Sequence, residues 1–112
     1  MLEEIKYKLK RKLFRQMEAY DITLDELKEK QMKGAEIIDV RNKREYDESH
    51  ILGSINVPEY QINESFEKIV PNKNKEIVVY CSSGFRSTSA YRRLRCLEYR
   101  NVWNLYGGLE NY

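Results

Sequence analysis

Histidine and cysteine, the usual zinc ligands, are scarce in this sequence of 112 residues, which contains one histidine and two cysteines. The cysteines do not form a Cys-x-x-Cys pair, so the sequence predicts neither a disulfide framework nor a zinc site. We therefore expect no metal ion and no cofactor. Each cysteine needs an explanation of its own.

Long apolar runs and a large net charge are also missing. No apolar run approaches the roughly 18 residues that a membrane span needs, and the N-terminus lacks the apolar core of a secretory signal. The formal net charge of +2 is too small to indicate nucleic-acid binding. The length fits one domain, and 41% hydrophobic with 34% charged residues is typical of globular chains. We expect a soluble cytoplasmic protein.

Apolar residues recur at helical spacing near the N-terminus, with lysine and arginine between them. The pattern predicts an amphipathic basic helix over residues 1–20, followed by a single domain over residues 21–112. The apolar stripe can pack on the domain, or the helix can bind an acidic membrane surface or a partner protein. The sequence leaves these alternatives open. The apolar positions are Leu2, Ile5, Leu9, Leu13, Phe14 and Met17.

Short β-branched segments alternate with helical patterns in the rest of the chain. Thr23 and Glu26 fit a capping box at the start of the first helix of this region. Alternation of this kind is typical of an α/β protein with a parallel central sheet. The predicted strands are 36–40, 55–57, 77–80 and 101–105, and the predicted helices are 24–31, 42–48, 60–70 and 87–97.

Cys81 directly follows the strand at 77–80 and precedes a loop of small residues. In an open parallel sheet, active sites lie beyond the carboxyl ends of the strands. The helix predicted from Ser87 directs the positive end of its dipole at this loop, and Arg86 adds a cation. Both effects favour the thiolate form of Cys81, which makes this cysteine a candidate nucleophile.

The spacing between Cys81 and Arg86 indicates which group the loop holds. Ser82, Ser83 and Gly84 are small enough for the backbone to curl around an anion on the sulfur and present its N–H groups. Cysteine phosphatases place five residues between the cysteine and the arginine, whereas this sequence places four there. The shorter loop favours a single extra sulfur atom, as in a persulfide, over a phosphate. A phosphatase or an arsenate-reductase-like enzyme is the alternative.

Two further residues could take part in the chemistry. His50, the single histidine, invites comparison with Cys-His hydrolases. A thiolate that attacks sulfur needs no general base, so we interpret His50 as part of a turn. Cys96 lies fifteen residues after Cys81, on the following predicted helix. It could resolve a persulfide as a disulfide only if that helix unwound, so we expect Cys96 to be buried.

Several segments of the chain form a set that resembles the rhodanese family. They are Ile38-Asp39-Val40-Arg41, Glu45-Tyr46, His50-Ile51 with Gly53, Ile55-Asn56-Val57-Pro58, the loop at 78–87, and Leu105-Tyr106-Gly107-Gly108. They follow the family's order and span residues 22–112. The resemblance implies a three-layer α/β fold, with a five-stranded parallel sheet and helices on both faces. It also implies a sulfurtransferase in which Cys81 takes the outer sulfur of thiosulfate, holds it as a persulfide and passes it to cyanide or a thiol.

The resemblance assigns roles to the residues around Cys81. Arg86 attracts the anionic donor and holds its sulfonate end. Asp39 and Arg41 match a motif near the family's site, where we expect a structural ion pair that involves Asp39 with Arg41 or Arg86. The backbone of the loop forms the persulfide cradle, which comprises Ser82, Ser83, Gly84, Phe85, Arg86 and Ser87.

The implied partners are a small-molecule sulfur donor such as thiosulfate and a thiol acceptor, which could be thioredoxin or a sulfur-carrier protein. Thiosulfate-specific members often carry additional basic loop side chains, whereas this loop has Ser82 and Ser83, so a persulfide donor stays open. Glu98 stands where relatives usually have a helix-ending glycine. A rhodanese-like module that only binds a partner is a further alternative, although such modules commonly lose the cysteine.

Overall fold

The computed structural model describes residues 15–112, and its centre is a sheet of five parallel strands. In chain order the strands are β1 (Asp21–Ile22), β2 (Glu36–Asp39), β3 (Ile55–Asn56), β4 (Glu76–Tyr80) and β5 (Asn101–Leu105). In space their order is β1, β5, β4, β2, β3, so β4 lies in the middle of the sheet. The expected five-stranded parallel sheet is confirmed.

Four α-helices and one short 3-10 helix connect the strands in the described part of the chain: α1 (Leu24–Met32), α2 (Lys43–Glu48), the 3-10 segment Glu59–Gln61, α3 (Ile62–Ile69) and α4 (Phe85–Cys96). A second 3-10 segment, Leu109–Asn111, follows β5. Phe66 of α3 and Leu94 of α4 pack on one face of the sheet, and Leu27 of α1 packs on the other. The three-layer fold is therefore confirmed. No helix within residues 15–112 is long and apolar enough to cross a membrane.

The residues of β4 alternate between the two faces of the sheet. Ile77 and Val79 join the cluster of α3 and α4, whereas Val78 and Tyr80 join that of α1. All four side chains are 0% exposed. A central parallel strand that is buried on both faces requires the continuous apolar sequence found here. The same strand delivers Cys81 to the carboxyl edge of the sheet.

The N-terminal helix predicted for residues 1–20 falls mainly on residues 1–14, which lie outside the described residues. Residues 15–20 form no helix, so the predicted helix does not extend over them. Asp21 accounts for this difference, because its carboxylate accepts hydrogen bonds from the main-chain N–H of Glu18, at 2.7 Å, and from the guanidinium of Arg15. Arg15 also donates to Oγ1 of Thr88 at 3.1 Å, which ties this segment to α4.

The start of α4 and the exposure of its last residue, Cys96, differ from the sequence prediction. The helix begins at Phe85, two residues before the predicted start at Ser87, because the left-handed Gly84 turns the chain directly into it. The prediction that Cys96 is buried is wrong, since its side chain is exposed. Leu94 faces the sheet, and a residue two positions further along a helix points to the opposite side.

A Schellman motif ends α4 at Glu98. The N–H of Glu98 donates to the carbonyl of Arg95 at 3.0 Å, and that of Tyr99 donates to the carbonyl of Leu94 at 3.1 Å. Tyr99 is buried edge-on against Phe66, with the ring centroids 5.0 Å apart. The motif holds Glu98 in the left-handed region, at a φ of 72°. Glycine adopts that conformation without a Cβ penalty.

We expect Glu98→Gly to raise the free energy of unfolding by about 1 kcal/mol, because glycine removes the Cβ strain of the left-handed conformation. Glu98→Ala keeps the Cβ and is the matched control, for which we expect a change below about 0.5 kcal/mol. Urea denaturation of the three proteins measures both differences. Equal stabilities of the glycine and alanine variants would show that the backbone at this position is not strained.

Candidate active site

Cys81 lies one residue beyond β4, and its side chain is buried. Its Sγ accepts hydrogen bonds from two main-chain N–H groups, that of Gly84 at 3.0 Å and that of Ser87 at 3.3 Å. The hydroxyl oxygen of Ser87 is 3.4 Å from the same sulfur. Polar groups of the loop and of the first turn of α4 therefore converge on Cys81.

Gly84 lets the loop close around this sulfur. Its φ of 98° lies in the left-handed region, which glycine adopts without a Cβ penalty. The carbonyl of Gly84 accepts hydrogen bonds from the hydroxyls of Ser87, at 3.2 Å, and Thr88, at 2.7 Å. Because α4 starts at once, the positive end of its dipole lies next to Cys81.

Arg86, the residue expected to attract the donor, is held by Glu45 of α2. Its Nη1 and Nη2 donate to the two carboxylate oxygens of Glu45 at 2.6 and 2.9 Å. The hydroxyl of Ser82 donates to the same carboxylate at 3.2 Å. The hydrogen bonds from Arg86 are the main reason that the pKa of Glu45 falls to about 2, so the carboxyl is ionised at neutral pH.

Sequence reasoning did not single out Glu45 as a site residue. It is separated from Arg86 by 41 positions in the chain, so no local pattern reveals their contact. The available signal was its place in the Glu45-Tyr46 segment, shortly after the carboxyl end of β2. In a parallel sheet that edge also receives the loop that follows β4.

Asp39 and Arg41 form a second ion pair, at the end of β2. Nη2 of Arg41 lies 2.8 Å from Oδ2 of Asp39, and Nε lies 3.1 Å from both carboxylate oxygens. The hydroxyl of Tyr80 donates to the same carboxylate at 2.7 Å, and burial raises the pKa of Tyr80 to about 12. Asp39 thus pairs with Arg41 rather than with Arg86, within the described contacts.

The C-terminal segment, residues 108–110, contacts the backbone of the Cys81 loop. The N–H of Leu109 donates to the carbonyl of Cys81 at 3.0 Å, and that of Glu110 donates to the carbonyl of Ser82 at 2.9 Å. Gly108 packs directly on this backbone, because a Cβ added there would lie 2.4 Å from the carbonyl oxygen of Ser82. The site therefore requires glycine at position 108.

Ser83, Phe85 and His50 make none of the described hydrogen bonds to the sulfur of Cys81. Ser83 is half-buried within it, and Phe85 is exposed at the first position of α4. His50 stacks on Tyr46, with the ring centroids 3.7 Å apart, and its Nδ1 lies 2.7 Å from the carbonyl oxygen of Tyr46. None of the hydrogen bonds or ring contacts described within residues 15–112 joins His50 to Cys81.

A parallel sheet with a cysteine loop at the end of its central strand, wrapped by main-chain N–H groups, defines a class of thiol-bearing α/β domains. Within that class the chain belongs to the rhodanese family. The family model described as the rhodanese-like domain matches residues 23–112. The match covers β2 to β5 and begins just after β1.

Relatives with known structures share this fold over most of the chain. A rhodanese-related protein from Thermoplasma volcanium is 31% identical, with a TM-score of 0.70 over 81% of this chain and 87% of that protein. The human single-domain sulfurtransferase TSTD1 is 26% identical, with a TM-score of 0.72 over 81% of this chain and 92% of that protein.

Two different enzymes stand among the relatives whose names state an activity. The thiosulfate sulfurtransferase PspE of Escherichia coli is 38% identical over 74 residues, which are 66% of this chain and 70% of PspE. The tRNA uridine(34) hydroxylase of Buchnera aphidicola is 32% identical over 84 residues, which are 71% of this chain but 27% of the hydroxylase. The likeness to hydroxylases is therefore confined to about a quarter of their length.

We expect Gly108→Ala to lower the free energy of unfolding by more than about 2 kcal/mol, because a Cβ there collides with backbone and demands an unfavourable φ. Gly34→Ala is the matched control, since Gly34 also has a positive φ but a Cβ added there meets nothing within 4 Å. We expect Gly34→Ala to cost about 1 kcal/mol.

Urea denaturation measures these losses of stability. The rate at which iodoacetamide alkylates Cys81 measures how well the loop shields its sulfur. The account requires faster alkylation of Cys81 in Gly108→Ala than in Gly34→Ala, because only the first variant distorts the loop that buries the sulfur. Equal unfolding free energies and equal alkylation rates would contradict it.

Proposed function

We propose that this protein transfers a sulfane sulfur from thiosulfate or a persulfide donor to a thiol acceptor, through a persulfide on Cys81. The observation that supports this best is the convergence of the Gly84 and Ser87 N–H groups on the sulfur of Cys81. Preorganised N–H donors stabilise negative charge on sulfur without reorganisation during the reaction. The likeness to the thiosulfate sulfurtransferase PspE supports the same chemistry.

The reaction has two displacement steps. The thiolate of Cys81 first attacks the outer sulfur of the donor, the sulfur–sulfur bond of the donor breaks, and sulfite or a thiolate leaves with the electron pair. An acceptor thiolate then attacks the outer sulfur of the Cys81 persulfide and releases Cys81 as a thiolate. Neither step requires an oxidant or a metal ion. The acceptor is a small thiol, thioredoxin or a sulfur-carrier protein, and cyanide serves in an assay.

The competing reactions have less support from the geometry. Four residues separate Cys81 from Arg86, and two terminal nitrogens of Arg86 are engaged by Glu45. A phosphoryl group would compete with Glu45 for the N–H groups of Arg86 and would add two negative charges beside its carboxylate. A module that only binds partners would have no use for a cysteine wrapped by N–H donors.

Intact-mass spectrometry after incubation with thiosulfate, and separately with glutathione persulfide, tests the proposal. We expect the wild-type protein to gain the mass of one sulfur atom and to lose it when cyanide is added. Cys81→Ser should gain nothing that cyanide removes. Cys96→Ser is the matched control and should behave as the wild type, because Cys96 is exposed at the far end of α4.

Two results would contradict the proposal. One is the absence of a sulfur adduct with both donors in the folded wild-type protein. The other is an adduct that forms equally in Cys81→Ser. In either case, hydrolysis of an aryl phosphate by the wild type but not by Cys81→Ser would favour the phosphatase alternative.

A further inference from the structure

We propose that Glu45 selects the sulfur donor, because it holds Arg86 in an ion pair and so disfavours donors that carry a sulfonate beside the transferred sulfur. The favoured donor is then an organic persulfide, whose fixed charges lie several bonds away from that sulfur. This inference rests on the sulfur transfer proposed above. It assigns to Glu45 a role in specificity rather than in bond breaking.

The contact between Glu45 and Arg86 is bidentate and reinforced. Each carboxylate oxygen of Glu45 accepts one guanidinium N–H, at 2.6 and 2.9 Å, and one of them also accepts the hydroxyl of Ser82 at 3.2 Å. Fork-to-fork pairs of this kind hold the guanidinium in one position, and the carboxylate offsets its positive charge. Two of the N–H groups that could face a sulfonate are therefore already used.

Two ion pairs lie near the loop in the described part of the chain. Asp39 neutralises Arg41 at 2.8 Å, and Glu45 neutralises Arg86 at 2.6 Å. Residues 82–87 contain no other lysine, arginine or histidine. Once Cys81 is a thiolate, these five side chains carry a net charge of −1. A dianion such as thiosulfate therefore meets repulsion where the transferred sulfur must approach.

The donor step with an organic persulfide balances without a further reactant. The thiolate of Cys81 attacks the outer sulfur of R–S–SH, and a new sulfur–sulfur bond forms on Cys81. The bond between the two sulfur atoms of the donor breaks, and R–S⁻ leaves with the electron pair. The outer sulfur and its proton remain on Cys81. No sulfonate has to enter the space beside Arg86.

Two donors in which a sulfur–sulfur bond breaks differ by one unit of charge, and comparing the ratio of their rate constants between variants cancels the difference between their leaving groups. Thiosulfate is a dianion, and methanethiosulfonate is a monoanion in which a methyl group replaces one sulfonate oxygen. Intact-mass spectrometry gives the second-order rate constant of Cys81 persulfide formation with each. We expect Glu45→Gln to raise the ratio of the thiosulfate to the methanethiosulfonate constant about tenfold, since it removes one negative charge and loosens Arg86.

Asp47→Asn is the matched control, because it removes one negative charge from the same helix. Asp47 forms an exposed ion pair with Lys43, at 2.6 Å, and has no part in the loop. We expect its ratio to equal that of the wild type. An unchanged or lower ratio in a folded Glu45→Gln would overturn the proposal, and so would an equal rise in Asp47→Asn.

The ionic-strength dependence of the wild type keeps the proposal testable if Glu45→Gln does not fold. Salt screens repulsion, so the ratio of the thiosulfate to the methanethiosulfonate constant should rise with ionic strength. A constant or falling ratio would contradict a repulsive site. Failure of the proposed function looks different, because the wild type would then form no Cys81 persulfide with either donor.

Discussion

Two main-chain N–H groups can reach the sulfur of Cys81 only because the chain turns sharply after β4 and enters α4 at once. The turn depends on Gly84, which lies three residues after the cysteine and whose left-handed φ of 98° leads directly into the helix that begins at Phe85. The strand before it is buried on both faces, so its end is fixed in position. The C-terminal segment fastens the loop from outside, and Gly108 has no side chain because the carbonyl of Ser82 occupies that space. Sheet, helix and C-terminus thus hold one sulfur atom in place.

The two arginines near this sulfur, Arg41 and Arg86, each form an ion pair with a carboxylate. Arg41 is occupied by Asp39, whose carboxylate also accepts a hydrogen bond from the buried Tyr80 hydroxyl. Arg86 is occupied by Glu45. The relative PspE is named a thiosulfate sulfurtransferase, yet in this chain the guanidinium of Arg86 already has a partner, Glu45. We therefore propose that main-chain dipoles, which carry no net charge, stabilise a sulfur anion on Cys81. The choice of donor would then fall to the side chains around them.

The sequence predicts what short-range patterns encode. The β-branched run at 77–80 and the alternation of strands and helices lead to the parallel sheet, and the small residues after Cys81 lead to the loop. The two-residue β1 is too short for any pattern, and the start of α4 depends on the conformation of a single glycine. The exposure of Cys96 follows from the rotation of α4 on the sheet. The pairing of Glu45 with Arg86 joins distant positions, so it emerges only when the fold brings β2 beside β4.

A crystal structure of the wild-type protein after treatment with glutathione persulfide would show where the transferred sulfur is held. The account predicts an additional sulfur atom bonded to Sγ of Cys81, within hydrogen-bond distance of main-chain N–H groups in the loop between Ser82 and Ser87. An additional sulfur on Cys96, or one on Cys81 that points into solvent without contact to those N–H groups, would contradict the claim that this loop is built to hold a sulfur anion.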